Sequence, residues 1–356
     1  MTVPDTMRAA LLTGHGGPEM LEVRDDVPVP APGAGEVLVA VAACGVNNTD
    51  VNTRVGWYAR SVTGGTGEGE GAEDGSWGGG IDFPRIQGAD PVGRIVDAGT
   101  GIDRSRIGER VMIDPWLRHP SGDRAEAEYL GSERDGGFAQ YVTVPAANAH
   151  AVESTLADVE LASFPCSYST AEHMLHRARV AAGQTVLVTG ASGGVGGALV
   201  QLAKRRGARV LALTSAAKRD AVAALGADAT LDRGDTDVAG AVRSASDGGI
   251  DVLADVVGGD GFPALFETIR PGGHYTTAGA VAGPIVDLDL RTLYLNDLTM
   301  HGATVVPAEV FANLVRYIED DEIRPVVAGT FPLERITDAQ AAFLRKDHVG
   351  AFVIEP

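Results

Sequence analysis

Two kinds of apolar patterning divide the chain. Up to about residue 150 the apolar positions come in short runs rich in β-branched residues, at 7–12, 36–41, 93–96, 110–113 and 139–144. Gly- and Pro-rich pieces such as 27–35 separate them. Short strands with Gly/Pro punctuation and little helical periodicity predict a β-rich first domain. From about Ser167 the pattern changes. Continuous apolar runs at 185–189, 209–213 and 251–255 alternate with helical segments at 195–206, closed by Gly207, and at 218–225, stopped by Gly226. Further strands are predicted at 274–278 and 298–303. Uninterrupted apolar strands are buried on both faces, and strand–helix alternation gives a doubly wound parallel sheet.

One stretch breaks the pattern. Residues 59–80 are rich in glycine and acidic side chains, and cannot bury enough to order themselves alone. They read as a long loop, either a solvated insertion or a lid over a site.

Charge then narrows the partners. The 356 residues carry 29 Lys plus Arg against 48 Asp plus Glu, a formal net charge of −19. Nucleic acid and anionic membrane surfaces are therefore poor partners. Any anionic ligand must be held by local donors. Only Lys204, Lys218 and Lys346 are lysines. Two cysteines, Cys44 and Cys166, make neither a disulfide framework nor a four-cysteine zinc site. With no secretory leader and no membrane-length apolar run, a cytoplasmic protein is expected.

The strongest chemical signal is the turn Gly190-Ala191-Ser192-Gly193-Gly194-Val195-Gly196-Gly197, set between a buried strand and a helix. Glycines permit the tight turn and let backbone approach a pyrophosphate. The amides of Gly193, Gly194, Val195 and Gly196, with the positive end of the helix, hold the negative charge. Cofactor choice depends on the end of the next strand, where a carboxylate would bind a ribose 2′-hydroxyl and select NAD. That strand ends instead in Thr214 and Ser215, followed by Lys218 and Arg219, with Arg233 after the next apolar segment. Such a group suits a 2′-phosphate, so NADPH is expected. The alternative is that Lys218 and Arg219 are solvated helix residues.

The order of parts resembles the medium-chain dehydrogenase/reductase superfamily, and within it the quinone oxidoreductase, zeta-crystallin-like branch. The matching pieces are Gly45-Val46-Asn47-Asn48-Thr49-Asp50 with Arg54, Gly56 and Tyr58; residues 88–93; 108–111; 135–141; Ser169-Thr170-Ala171; the turn at 190–197; and the tail 347–354, where Ala351 replaces a common lysine. The resemblance implies a GroES-like catalytic domain at 1–160, a Rossmann domain at 161–306 and a return to the catalytic domain at 307–356. It extends the cofactor contacts to Thr170, Val257 and Gly279. It also implies a homodimer through the last strand of the Rossmann sheet, whose open edge invites pairing.

Zinc enzymes of the superfamily hold a catalytic metal with Cys, His and Cys or Asp. Here the first place is Asn47, the second is Ala89, and Cys166 stands alone in the third. An amide and a methyl cannot replace a thiolate and an imidazole, so no metal is expected. Residues 114–135 lack the four cysteines of the structural zinc lobe. The resemblance then implies hydride transfer from NADPH to an electron-poor acceptor, a quinone or an α,β-unsaturated carbonyl. Asn47 is the candidate for holding the nicotinamide ribose or the substrate carbonyl, and Tyr58 for polarising or protonating the acceptor. Each has a bland alternative, Asn47 holding a turn and Tyr58 packing beside the loop. His173 and His176, three apart on a helix, read as structural or surface residues. An alcohol or carbonyl dehydrogenase of other specificity, and a low-turnover dinucleotide-binding sensor or scaffold, stay open.

Overall fold

The strand Glu36–Val46 is the spine of the first layer. One of its edges carries Asp90–Ala98 along nearly its whole length. Its other edge is shared by two strands from distant parts of the chain, Tyr141–Pro145 beside residues 36–40 and Ala351–Glu355 beside residues 44–46. Val327–Pro332 pairs with the latter, so residues far down the sequence complete this sheet. Alternate small and β-branched side chains let the strands bury apolar faces around Val39, Ile95, Val142 and Phe138. A smaller sheet pairs Leu21–Pro28, Thr6–Leu12 and Arg85–Ile86. This GroES-like unit and the doubly wound unit beside it are seen in a computed structural model that describes residues 3–68, 80–119, 121–122 and 124–356.

The second sheet has six parallel strands in the order Ala229–Asp232, Arg209–Thr214, Thr185–Val188, Ile250–Asp255, Ile269–Thr277, Thr299–Gly302. The order reverses between Thr185–Val188 and Ile250–Asp255, and ligands of such sheets sit beyond the carboxyl ends at that switch point. Thr185–Val188 is buried throughout, as its uninterrupted apolar run requires. The helices Pro165–Arg177 and Gly194–Arg205 cover one face, packing Met174, Leu199 and Leu202 with Phe311 and Leu314. Phe262, Phe266 and Tyr275 fill the other face.

Two expectations shift in detail. The helix expected at 218–225 is a 3-10 turn, Ala216–Lys218, followed by a short helix, Arg219–Ala223. The strand expected from residue 139 begins at Tyr141. Among the described residues the strand Thr299–Gly302 pairs on one side only. No helix among the described residues is long and apolar enough to cross a membrane. Half of the Gly-rich stretch, residues 69–79, lies outside the described residues. Its described start docks onto the Rossmann unit, where the Thr66 N–H donates to the Val281 carbonyl at 3.0 Å.

Candidate active site

The phosphate-binding turn owes its shape to three glycines with different tasks. Gly190 has φ +57°, the left-handed region that favours glycine. A Cβ on Gly196 would lie 2.1 Å from the Gly190 carbonyl oxygen, so only glycine lets the helix start this close to the strand. A Cβ on Gly194 would lie 2.4 Å from Ser167 Oγ, so glycine there lets the turn meet the helix Pro165–Arg177. Gly193 caps the helix Gly194–Arg205 in extended conformation, its N–H spent on the Gly190 carbonyl. The first-turn amides beyond it, at Gly194, Val195 and Gly196, lie where a helix has no earlier carbonyls of its own. Ser192, Gly193 and Gly194 line a narrow cleft with Tyr168, Val349 and Gly350. Its far wall is stitched to the turn by the Gly350 N–H donating to the Ser192 carbonyl.

Asp255, buried at the end of its strand, shapes the neighbouring loop. It accepts from Thr189 Oγ1 at 2.6 Å, from the Val257 N–H at 2.9 Å and from the Tyr275 hydroxyl at 3.1 Å. Val257 thereby comes against Gly190, and Gly279 lies beside the Val256 carbonyl. Both sequence candidates therefore border the turn.

At the end of the second strand, Thr214 is buried and its Oγ1 has no partner among the described residues. Ser215 begins the 3-10 turn that carries Lys218. Lys218 Nζ donates to the Lys346 carbonyl, and Lys346 Nζ donates to Asn48 Oδ1 at 2.8 Å. Burial lowers the Lys218 pKa, with the charge of nearby Arg233 lowering it further. Burial and then Lys218 lower Lys346 to about 7. Three cations thus crowd one end of the cleft on an acidic chain. Arg219 is not among them. Its guanidinium donates to the carbonyl and hydroxyl of Thr230 and ties its short helix to the edge strand.

The inner end of the cleft is built around Asn47, which precedes the helix Asn48–Val55. Its N–H donates to Asp50 Oδ2 at 2.7 Å, while its side chain turns to other partners. Asn47 Nδ2 donates to Asp90 Oδ2 at 2.9 Å, and Asn47 Oδ1 accepts from Ser167 Oγ at 3.3 Å. Asp90 Oδ1 also accepts the Cys166 N–H, in the first turn of Pro165–Arg177, at 2.8 Å. A chain of contacts therefore runs from Asp90 through Asn47 and Ser167 to Gly194 of the phosphate turn. The Cys166 thiol bonds the Tyr129 hydroxyl and Thr170, and the Tyr58 hydroxyl bonds Thr49 and Asn52.

Burial dominates the protonation of this cluster. It raises Asp90 and Cys166 well above their ordinary values, raises Asp50 to about 7 and pushes Tyr58 up to about 12. Cys166 and Tyr58 therefore hold their protons at neutral pH. Asp90, Ser167 and Tyr129 were not assigned roles from sequence. The Gly88-Ala89-Asp90 triplet is the signal for the first of them, since it stands at the metal-ligand place while carrying a carboxyl one residue on. Among the described residues no three His, Cys, Asp or Glu side chains converge as a metal ion requires.

The residues fit a dinucleotide. The glycine cradle would be filled by any Cβ at 194 or 196, and the bare Thr214 hydroxyl and paired cations lie at the far end. Comparison with known proteins agrees. Residues 33–154 match the alcohol dehydrogenase GroES-like domain family, and residues 194–320 match the zinc-binding dehydrogenase family. Quinone oxidoreductase of Rattus norvegicus is 27% identical over 94% of this chain and 92% of its own. Acryloyl-coenzyme A reductase of Metallosphaera sedula is 29% identical over 98% and 99%. A crystal structure of a Sinorhizobium meliloti 1021 protein, provisionally described as an alcohol dehydrogenase, is 50% identical over 99% of this chain and 98% of that one, with a TM-score of 0.91.

Proposed function

Because the chain belongs to the medium-chain dehydrogenase/reductase superfamily, an oxidoreductase family that binds a nicotinamide cofactor, we propose that it is a zinc-independent, NADPH-dependent reductase of quinones or α,β-unsaturated carbonyls. The observation that carries this reading is the Asn47–Asp90–Cys166 cluster. Where a catalytic zinc needs three ligating side chains, the chain places an amide, a methyl and one thiol kept protonated by burial. An unactivated alcohol would find no Lewis acid there to lower its hydroxyl pKa.

The chain's own groups then divide the work. The amides of Gly194, Val195 and Gly196 grip the diphosphate, and Lys218 with Arg233 faces the adenosine end. When bound, NADPH supplies the hydride. Asn47 is fixed on two sides by Asp90 and Ser167, and one N–H of its amide remains for the acceptor oxygen. Tyr58 offers a hydroxyl that keeps its proton at neutral pH. The protonated Cys166 thiol adds no negative charge beside an oxyanion forming on the acceptor, and burial disfavours charge on Asp90.

NADPH oxidation measured against a quinone panel and an enone panel, before and after chelation, tests the assignment. Turnover that survives chelation is expected. Loss on chelation, or turnover of simple alcohols alone, would replace this reading with the alcohol dehydrogenase one. Tight NADPH binding with no acceptor turned over would favour a sensor or scaffold.

The cofactor preference has its own check. Lys218→Glu is expected to weaken NADPH by about 10- to 100-fold more than NADH, the range of a charge-assisted hydrogen bond turned into repulsion. Equal weakening, read by fluorescence titration, would remove the basis for preferring the phosphorylated cofactor. The proposed assembly is a homodimer through Thr299–Gly302. Exposed Met300 lies on that open edge, and Ile285, Leu290, Tyr294 and Leu295 are exposed in the segment preceding it. Sedimentation of Met300→Arg should show monomer where the parent shows dimer, and a parent that sediments as monomer would overturn the assignment.

A further inference from the structure

A second cationic pocket, sharing no lining residue with the cleft at the phosphate turn, lies between residues 118–127 and 305–307. It has a volume of about 110 Å³ and is lined by Arg118, Arg124 and Ala127 on one side and by Val305, Val306 and Pro307 on the other. It joins the inner site. Ala127 and Val305 pack on the cluster of Ala89, Trp116, Tyr129 and Val306, and Cys166 packs there too.

The charges on the lobe 114–134 are mostly matched. Asp114 pairs with Arg118, Glu126 with His119, and Glu128 with Arg134. Arg118 also donates to the Val306 carbonyl, which holds the two walls together. Arg124 is exposed, and its guanidinium has no ion pair or hydrogen bond among the described residues. Behind these arginines sits His173. It lies two turns beyond Cys166 on the same stripe of Pro165–Arg177, by the 3.6-residue repeat. It is 1% exposed, and neither ring nitrogen has a partner among the described residues. The charges of Arg177, Arg124 and Arg118 all reach it, and burial with these charges lowers it to about 4, so its ring is neutral and carries one unclaimed N–H. A buried imidazole without an acceptor is costly unless something completes it.

We propose that this pocket selects the substrate, holding a carboxylate or phosphate group on the tail of the electron-poor acceptor while its reducible end reaches Asn47. The inference rests on the reductase reading of the cleft and adds to it the class of acceptor. Arg124 supplies the free charge, Arg118 forms the fixed wall, and the His173 N–H lies behind them. On a chain of net charge −19, a local cation of this kind decides which acceptors enter.

The test compares benzalacetone with its 4-carboxy derivative, two enones that differ by one carboxylate. In about 20 mM salt the carboxylated enone is expected to have a kcat/KM about tenfold or more above the neutral one. That ratio should fall as salt rises to roughly 300 mM, and in Arg124→Gln it should collapse to within about twofold, since a charge-assisted contact is lost. Arg124 is exposed and its side chain is unpaired among the described residues, so the variant should fold, as an unchanged melting temperature would show. A ratio near one in the parent protein, or a ratio unchanged in Arg124→Gln, overturns the proposal. If neither enone is reduced, the enone part of the reductase reading fails on its own and the quinone panel decides the rest. The pocket is still read by calorimetry of 4-carboxybenzalacetone on the NADP+-loaded protein. Weaker binding to Arg124→Gln than to the parent supports it, and equal binding overturns it.

Discussion

Gly196→Val is expected to abolish measurable dinucleotide binding and to lower the melting temperature together. The new Cβ would stand 2.1 Å from the Gly190 carbonyl oxygen and 2.6 Å from its carbon, both backbone atoms that cannot swing away. Relief requires the helix Gly194–Arg205 to retreat from the strand Thr185–Val188, which moves the first-turn amides out of register with a diphosphate. Overpacking of this kind costs about 1–3 kcal/mol or more in stability, and loss of the amide cradle should weaken NADPH by over roughly 100-fold. Gly193→Ala is the control. Its Cβ would meet nothing closer than 3.5 Å, and its φ of −82° suits any residue. That variant should keep the parental melting temperature, whatever it does to the bound phosphate. A Gly196→Val protein that melts and binds NADPH like the parent would mean that the turn does not hold the cofactor.

The second large effect concerns pH. Asp50 is buried and its folded pKa is raised by that burial to about 7, from 3.8. Between those values the folded chain binds a proton at this site that the unfolded chain has lost. The contribution of this group to stability is therefore fully present below pH 3.8 and is lost as pH rises through 7. At 1.36 kcal/mol per unit, the loss approaches about 4 kcal/mol above pH 7. Asp50→Asn removes the titration and keeps an oxygen to accept the Asn47 N–H. Denaturant unfolding should then show the variant gaining on the parent by about 2–3 kcal/mol between pH 5 and pH 8. A stability difference that stays flat across that range would show that Asp50 is ionised in the folded protein throughout.

Much of the fold could be read from local pattern because local pattern causes it. The run at 185–189 is apolar throughout, so it had to be an inner parallel strand, and the turn after it carries glycines at the positions where the strand and helix collide. The short helix after Lys218 was less legible. Its boundaries depend on Arg219 reaching the edge strand at Thr230, a contact no local pattern records. The inner site was legible only in part. Asn47 and Tyr58 stood out by position, yet the residues that fix Asn47, Asp90 and Ser167, are 43 and 120 residues away. Lys346 is a similar case. It reads as one of few lysines, and only the folded tail brings its side chain to Asn48 and its carbonyl to Lys218. Burial, which raises the pKa of Asp50 and Asp90, follows from tertiary packing and has no signature in either segment alone.

The sheet built on Glu36–Val46 also bears on how the protein is made. Its spine emerges early from a ribosome, but the strand that fills the remaining edge, Ala351–Glu355, emerges some three hundred residues later. Until then the backbone groups of residues 44–46 lack their pairing partner, and the Gly350 stitch to Ser192 is missing as well. The doubly wound unit, contiguous in the chain, is free to form first and to offer a finished wall. Synthesis should therefore yield a nucleotide-binding half before a working enzyme, and a nascent chain stalled short of residue 351 should depend on chaperones to shield that open edge.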